Sequence, residues 1–154
     1  MKTSAGILLF KKENNDLYYF LVHPGGPFWK HKDIGAWSIP KGEIQNNENP
    51  LDRAITEFEE ETGKAVTGEF IELSPVRQKS GKTVYAWALE QDIETSGLSS
   101  NTLSIEWPPR SGKTIEIPEV DQWEWLISEE AKKRINTAQA ALITELEKIV
   151  DQST

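Results

Sequence analysis

The stretch Asn49 to Gly63, NPLDRAITEFEEETG, limits what this chain can fold into more than any other segment. Asn49 offers a side-chain oxygen to the free amides of a first helical turn, and Pro50 has the backbone angle that the next position needs. Gly63 suits the left-handed residue that closes a helix. The pattern therefore predicts a helix over residues 50–62. On that helix Leu51, Ala54, Ile55, Phe58 and Thr62 share an arc that would pack on a sheet. Glu57, Glu60 and Glu61 fall within an adjacent arc of ~100°, and Glu59 points elsewhere.

Like charges so spaced destabilise a helix by roughly 0.2–0.5 kcal/mol per pair, and the negative end of the helix dipole adds to the cost. Two offsets are open. Solvent can screen the acidic face, helped by Arg53 one turn before Glu57. Alternatively the face binds a divalent cation: the chain has no cysteine and only two histidines. A carboxylate set of this kind suits Mg²⁺ or Mn²⁺, with substrate phosphates and water completing the shell.

Around the helix, TSAGILLF (3–10) and LYYFLV (17–22) read as strands joined through the polar turn residues Glu13 to Asp16, a hairpin. Residues 23–42 form a long Gly- and Pro-punctuated loop, with one short strand expected at 36–39. Long loops inside small domains are more often functional than idle. Residues 83–89, 114–117 and 122–127 read as further strands, Ser128 to about Ile135 as a short helix, and 138–150 as an amphipathic packing helix. No βαβ alternation is sustained. The expected fold is α/β (α+β): a mixed β-sheet sandwiched between helices, in a single domain over residues 1–154. Ser-Gly-Lys-Thr occurs at 80–83 and again at 111–114, but Val76 and Trp107 stand where a phosphate loop needs its first glycine. Both copies are expected to be turns, with Lys82 and Lys113 exposed.

Composition restricts the partners. The 154 residues carry 17 Lys+Arg against 25 Asp+Glu, a formal charge of −8. That balance disfavours extended nucleic acid and anionic membranes. The longest early apolar run, Ala5 to Phe10, is too short for a signal or spanning segment, and the lack of cysteine suits a reducing compartment. The expected setting is cytoplasmic.

Read outward, the helix belongs to a longer pattern: Gly42, five residues, Glu48, seven residues, then TEFEEETGK. This resembles the Nudix box, G-x5-E-x7-R-E-U-x-E-E-x-G-U with U bulky and apolar, at seven of its nine specified places. Thr56 replaces the family's arginine and Lys64 its last aliphatic residue. In the family that arginine orients box carboxylates, notably the one matching Glu48. Arg53, a turn away, is the expected substitute, so Glu48 and Arg53 are assigned to supporting the box.

The resemblance implies a Mg²⁺-dependent (or Mn²⁺-dependent) pyrophosphohydrolase acting on a nucleoside diphosphate linked to another moiety. Dinucleoside polyphosphates stand slightly ahead of nucleoside triphosphates. A catalytically weak, nucleotide-binding regulatory module is the alternative, and Thr56 is the feature that favours it. Glu57, Glu60 and Glu61 are the implied metal ligands. Glu60, Glu61 and Glu119 are the candidates for proton transfer. The run Trp37-Ser38-Ile39-Pro40-Lys41-Gly42 is similar to a W-x-x-P-K-G found before the box in family branches that handle polyphosphates. Trp37, Lys41 and Gly42 are therefore assigned to substrate, together with Arg110 and with Trp29 as a stacking surface. His23 is expected to anchor a loop or lie at the surface. A diphosphoinositol polyphosphate would need a denser basic pocket than this chain offers.

Overall fold

The computed structural model describes residues 2–152. Strands β1 (Thr3–Glu13) and β2 (Asp16–Pro24) form the expected hairpin, with Glu13 opposite Asp16. Asn14 and Asn15, at φ 52° and 70°, make the turn in the left-handed conformation that asparagine tolerates and a two-residue hairpin requires. β1 is buried without interruption from Ser4 to Phe10. It lies at the centre of the sheet, antiparallel to β2 on one side and parallel to β6 (Thr83–Glu90) on the other, and both of its faces are covered.

β3 (Lys41–Glu43) pairs with the start of β1 and leads to helix α1 (Pro50–Thr62). β4 (Ile71–Glu72) and β5 (Val76–Arg77) pair one after the other along the outer edge of β6. β7 (Thr102–Glu106) and β8 (Thr114–Pro118) form a separate two-stranded ribbon. β9 (Val120–Ile127) returns to the main sheet beside β2, giving the order β4-β6-β1-β2-β9. Helix α2 (Ser128–Arg134), a 3-10 turn at Thr137–Gln139 and helix α3 (Ala140–Gln152) complete the described residues.

The period-2 alternation of β1 builds two cores. Ala5, Ile7 and Leu9 join Phe20, Ala54 and Phe58 under α1. Leu8 and Phe10 join Tyr19, Ala131, Leu142, Ile143 and Leu146 under α2 and α3. The mixed sheet thus lies between helices, as expected. Phe58 packs on Phe20 at 5.7 Å between ring centroids, and Phe20 meets the edge of Trp125 at 5.5 Å, which seats α1 on the sheet.

Four short strands differ from the sequence reading. β3, β4 and β5 have only two or three residues, too few for a periodic pattern, and the β7 residues are mostly exposed. The strand expected at 36–39 is reduced to isolated bridges, Val22 with Ser38 and Trp37 with Ile135. Trp37 N–H turns to the Arg134 carbonyl, and Pro40 has no amide to continue a ladder. The Ser-Gly-Lys-Thr segments are turns before β6 and β8. Among the described residues no helix is long and apolar enough to cross a membrane.

Candidate metal and nucleotide site

Helix α1 has the caps that its sequence calls for. The Asn49 side chain accepts from Asp52 N–H at 3.1 Å, and Gly63, at φ 79°, donates its N–H to Glu59 O. The remaining carbonyls at its acidic end are taken by other parts of the chain. Ser99 N–H donates to Thr62 O, Asn101 N–H to Glu60 O, and the Trp123 indole to Glu61 O at 2.7 Å. These bonds satisfy groups that the end of a helix otherwise leaves unpaired.

They also fix where the glutamates point. Ligand oxygens of Glu57, Glu61 and Glu119 lie within 4.8 Å of one another. Glu119 comes from the β8–β9 junction, where its N–H donates to Asn101 O and its carbonyl accepts from Gly25 N–H. Glu60, expected beside Glu57 and Glu61, stands at the margin: it accepts from the Asn101 amide at 3.3 Å and lies 3.7 Å from Arg53. Gly42 presses on the cluster from β3, since a Cβ there would fall 2.0 Å from Glu57 Cδ.

Arg53 holds the outer side. Its Nε donates to both oxygens of Glu48 at 3.1 Å and its Nη1 to Glu57 Oε1 at 3.1 Å. The guanidinium keeps the Glu48 carboxyl below its usual range. Glu61 is in the opposite situation: burial, then Glu57 and Glu119, raise it well above the ordinary value. Burial, Glu57 and Glu60 raise Glu119 as well. Lys41 is pushed down by burial and by Lys82, against the pull of Glu61, Glu57 and Glu43. A buried carboxylate, Glu61, repelled by the partly covered Glu57 and Glu119 beside it, completes a donor set that fits a hard divalent cation.

A cavity of about 300 Å³ adjoins the cluster, with Glu61 and Glu119 in its wall. Trp29, Trp37 and Lys41, assigned to substrate from the sequence, line it. Trp37 offers only its ring, because the indole N–H donates to Asp33 at 2.7 Å. Arg110 lies in the β7–β8 turn and is not among the lining residues. Lys82, expected to be exposed, is half-buried and close enough to depress Lys41. His23 is buried and anchors the loop: Nε2 donates to Lys32 O at 2.6 Å and Nδ1 pairs with Asp121 at 2.7 Å.

The sequence reading did not single out Gln78, Asn136 and Gln139, which also line the cavity. Asn136 could have been noticed, since it precedes Thr137 at a helix start. Nothing in the local pattern marks the two glutamines.

The NUDIX domain family model matches residues 2–146, and the chain belongs to that family. The mRNA-decapping protein g5R of African swine fever virus is 46% identical over 54 residues, in a match that covers 32% of this chain. The chain spans only 21% of the length of that relative. An asymmetrical bis(5'-nucleosyl)-tetraphosphatase of Rattus norvegicus is 27% identical over 119 residues, 68% of this chain and 76% of that one. Among solved structures, a C. elegans Ap4A hydrolase binary complex superposes with a TM-score of 0.69 at 17% identity, covering 99% of both chains. The NUDIX domain of Shewanella oneidensis NrtR, complexed with ADP ribose, superposes at 0.65 and 14% identity, covering 96% of this chain and 87% of that one.

Proposed function

We propose that this chain is a Mg²⁺-dependent pyrophosphohydrolase that cleaves a nucleoside diphosphate linked to another moiety, with dinucleoside polyphosphates ahead of nucleoside triphosphates. The observation that carries the reading is the convergence of Glu57, Glu61 and Glu119 beside a cavity that Lys41 also lines. The names of the rat tetraphosphatase and the C. elegans Ap4A hydrolase support the substrate order.

Glu57, Glu61 and Glu119 would hold the cation. Bound there, it would neutralise the diphosphate and lower the pKa of a coordinated water. Lys41 binds a phosphate oxygen from the same cavity, and Trp29 covers the nucleoside. Glu119, which faces the cavity from outside the helix, takes the proton of the attacking water, with Glu60 at the margin as the second acceptor. Water oxygen bonds to phosphorus, the anhydride P–O bond breaks, and the second phosphate leaves with the bonding pair.

Thr56 would favour a nucleotide-binding module without turnover, but Arg53 supplies a guanidinium to Glu48 and Glu57 by another route. The experiment is phosphate and nucleotide release from nucleoside triphosphates, dinucleoside polyphosphates and nucleotide sugars, with Mg²⁺ or with chelator. Metal-dependent release that Glu61→Gln abolishes is expected. Silence across the panel, with nucleotide still bound in calorimetry, would replace the enzyme by the binding module.

A further inference from the structure

The polar groups of the cavity away from the carboxylates form one hydrogen-bonded chain, and a backbone amide sets its direction. Ile39 N–H donates to Gln139 Oε1 at 3.0 Å, so the NH₂ of Gln139 must lie on the other side of its side chain. That NH₂ donates to Gln78 Oε1 at 2.9 Å and to Ser38 Oγ at 3.1 Å. Gln139 is fully buried and its amide is engaged on both sides. Gln78 therefore turns its own NH₂ away from Gln139. Asn136 is oriented in the same way: its Oδ1 accepts from Ala138 N–H at 3.0 Å, which leaves its NH₂ as the free end.

Both residues line the cavity and both touch Gln139, Asn136 through its carbonyl, which accepts from Gln139 N–H at 2.9 Å. Neither NH₂ has a partner among the described residues, and neither is a sealed, unsatisfied atom. Ser38 is occupied by Gln139 and by its neighbour's carbonyl. With Glu61 and Glu119 serving the cation and the attacking water, and Lys41 the phosphates, the polar side chains left to read the rest of a ligand here are the donors of Gln78 and Asn136.

We propose that Gln78 and Asn136 read the base of the substrate and select a 6-oxopurine, guanine or hypoxanthine, over adenine. This rests on the nucleotide reading above. Guanine presents two adjacent acceptors, O6 and N7, whereas adenine pairs its N7 acceptor with an N6 amino donor. Two NH₂ groups satisfy the first edge. Against the second, one NH₂ faces another donor, and a buried donor without a partner is costly. Trp29, in the same wall, supplies a face for the purine ring.

The test is kcat/KM with Mg²⁺ for GTP, ITP, ATP and 7-deaza-GTP, with GDP and ADP binding measured by calorimetry. GTP and ITP are expected to exceed ATP by about tenfold or more, and loss of N7 to weaken 7-deaza-GTP. Asn136→Asp keeps the oxygen that caps Ala138 and replaces the free donor by an acceptor, and Gln78→Glu does the same opposite Gln139. Each is expected to shrink the guanine preference, and the double variant to move it toward adenine. Equal GTP and ATP values, or a preference untouched in both variants, would overturn the proposal and leave the hydrolase reading standing. Absence of cleavage of these triphosphates and of the matching dinucleoside polyphosphates would overturn the hydrolase reading, and the ratio of GDP to ADP affinity would then decide the base proposal. Where one variant fails to fold by circular dichroism, the other gives the same readout.

Discussion

Arg53 and Glu48 form a bidentate pair that crosses from the helix to the loop before it, with Arg53 Nε 3.1 Å from both carboxylate oxygens. The same guanidinium bonds Glu57, so one cation orients two glutamates of the box. Arg53→Ala is expected to lower Mg²⁺ affinity or turnover about 10–100-fold, as loss of a group supporting metal ligands does. Arg53→Lys should recover little, because an ammonium cannot make the planar fork. Lys64→Ala is the control. Equal activities of Arg53→Ala and Lys64→Ala would show that the pairing is idle.

Glu61 is strained electrostatically while it is ionised and without a cation. Its folded-state pKa is raised by burial and by Glu57 and Glu119. The sign follows: the fold binds this proton more tightly than the unfolded chain, so stability falls as pH rises from the ordinary carboxylate range through the raised value. In chelator, Glu61→Gln is expected to melt at or above the temperature of the parent near neutral pH. The stabilisation that Mg²⁺ gives the parent should be absent in the variant, and turnover should drop by orders of magnitude. A Glu61→Gln protein that unfolds would instead make the acidic face structural.

Gly42 is required by contact with its neighbour. A methyl at this position would sit 2.0 Å from Glu57 Cδ and 2.2 Å from Glu57 Oε1. Gly42→Ala should force Glu57 out of the cluster and weaken Mg²⁺ binding, with turnover falling on the order of 100-fold for a displacement of about 1 Å. Calorimetric titration with Mg²⁺ checks it. Unchanged affinity would mean that β3 yields without disturbing the ligands.

Glu147 ties α3 to the rest of the fold and has no part in the proposed chemistry. It accepts from Tyr19 Oη at 3.1 Å, from Lys132 Nζ at 2.6 Å and from Ser128 Oγ. Burial would raise its pKa, but the donors from Lys132, Ser128 and Tyr19 outweigh it and lower the carboxyl. This stability is present above the ordinary carboxylate range and is lost as pH falls through the depressed value. Glu147→Gln is expected to cost about 1–3 kcal/mol at neutral pH and less in acid, with kcat nearly unchanged. Denaturant melts at two pH values decide it, and an equal cost at both would reject the ionic account.

What could be read from the sequence was whatever short-range rules govern. Asn49, Pro50 and Gly63 set the limits of α1 because capping is settled within a turn of the backbone. Asn14 and Asn15 set the hairpin because few residues accept positive φ. Arg53 was foreseeable as a partner of Glu57 because four residues make one helical turn. The box spacing carried the family by itself.

Packing of the sheet decided the rest. Glu119 joins Glu57 and Glu61 because β9 returns beside β2, and Glu60 is drawn aside because Asn101 from a distant segment bonds it. Trp37 turns its indole N–H to Asp33, and Lys82 approaches Lys41, through loop paths that no periodicity records. Gln139, Gln78 and Asn136 each look like ordinary polar residues in the chain. Only when the 3-10 turn before α3, the residue after β5 and the loop before β3 close around the cavity does the backbone amide of Ile39 orient Gln139 and, through it, Gln78, while Ala138 N–H orients Asn136. Local spacing determined which elements form, and the long-range bonds determined which way their side chains face, because that direction depends on partners that only the folded sheet brings within reach.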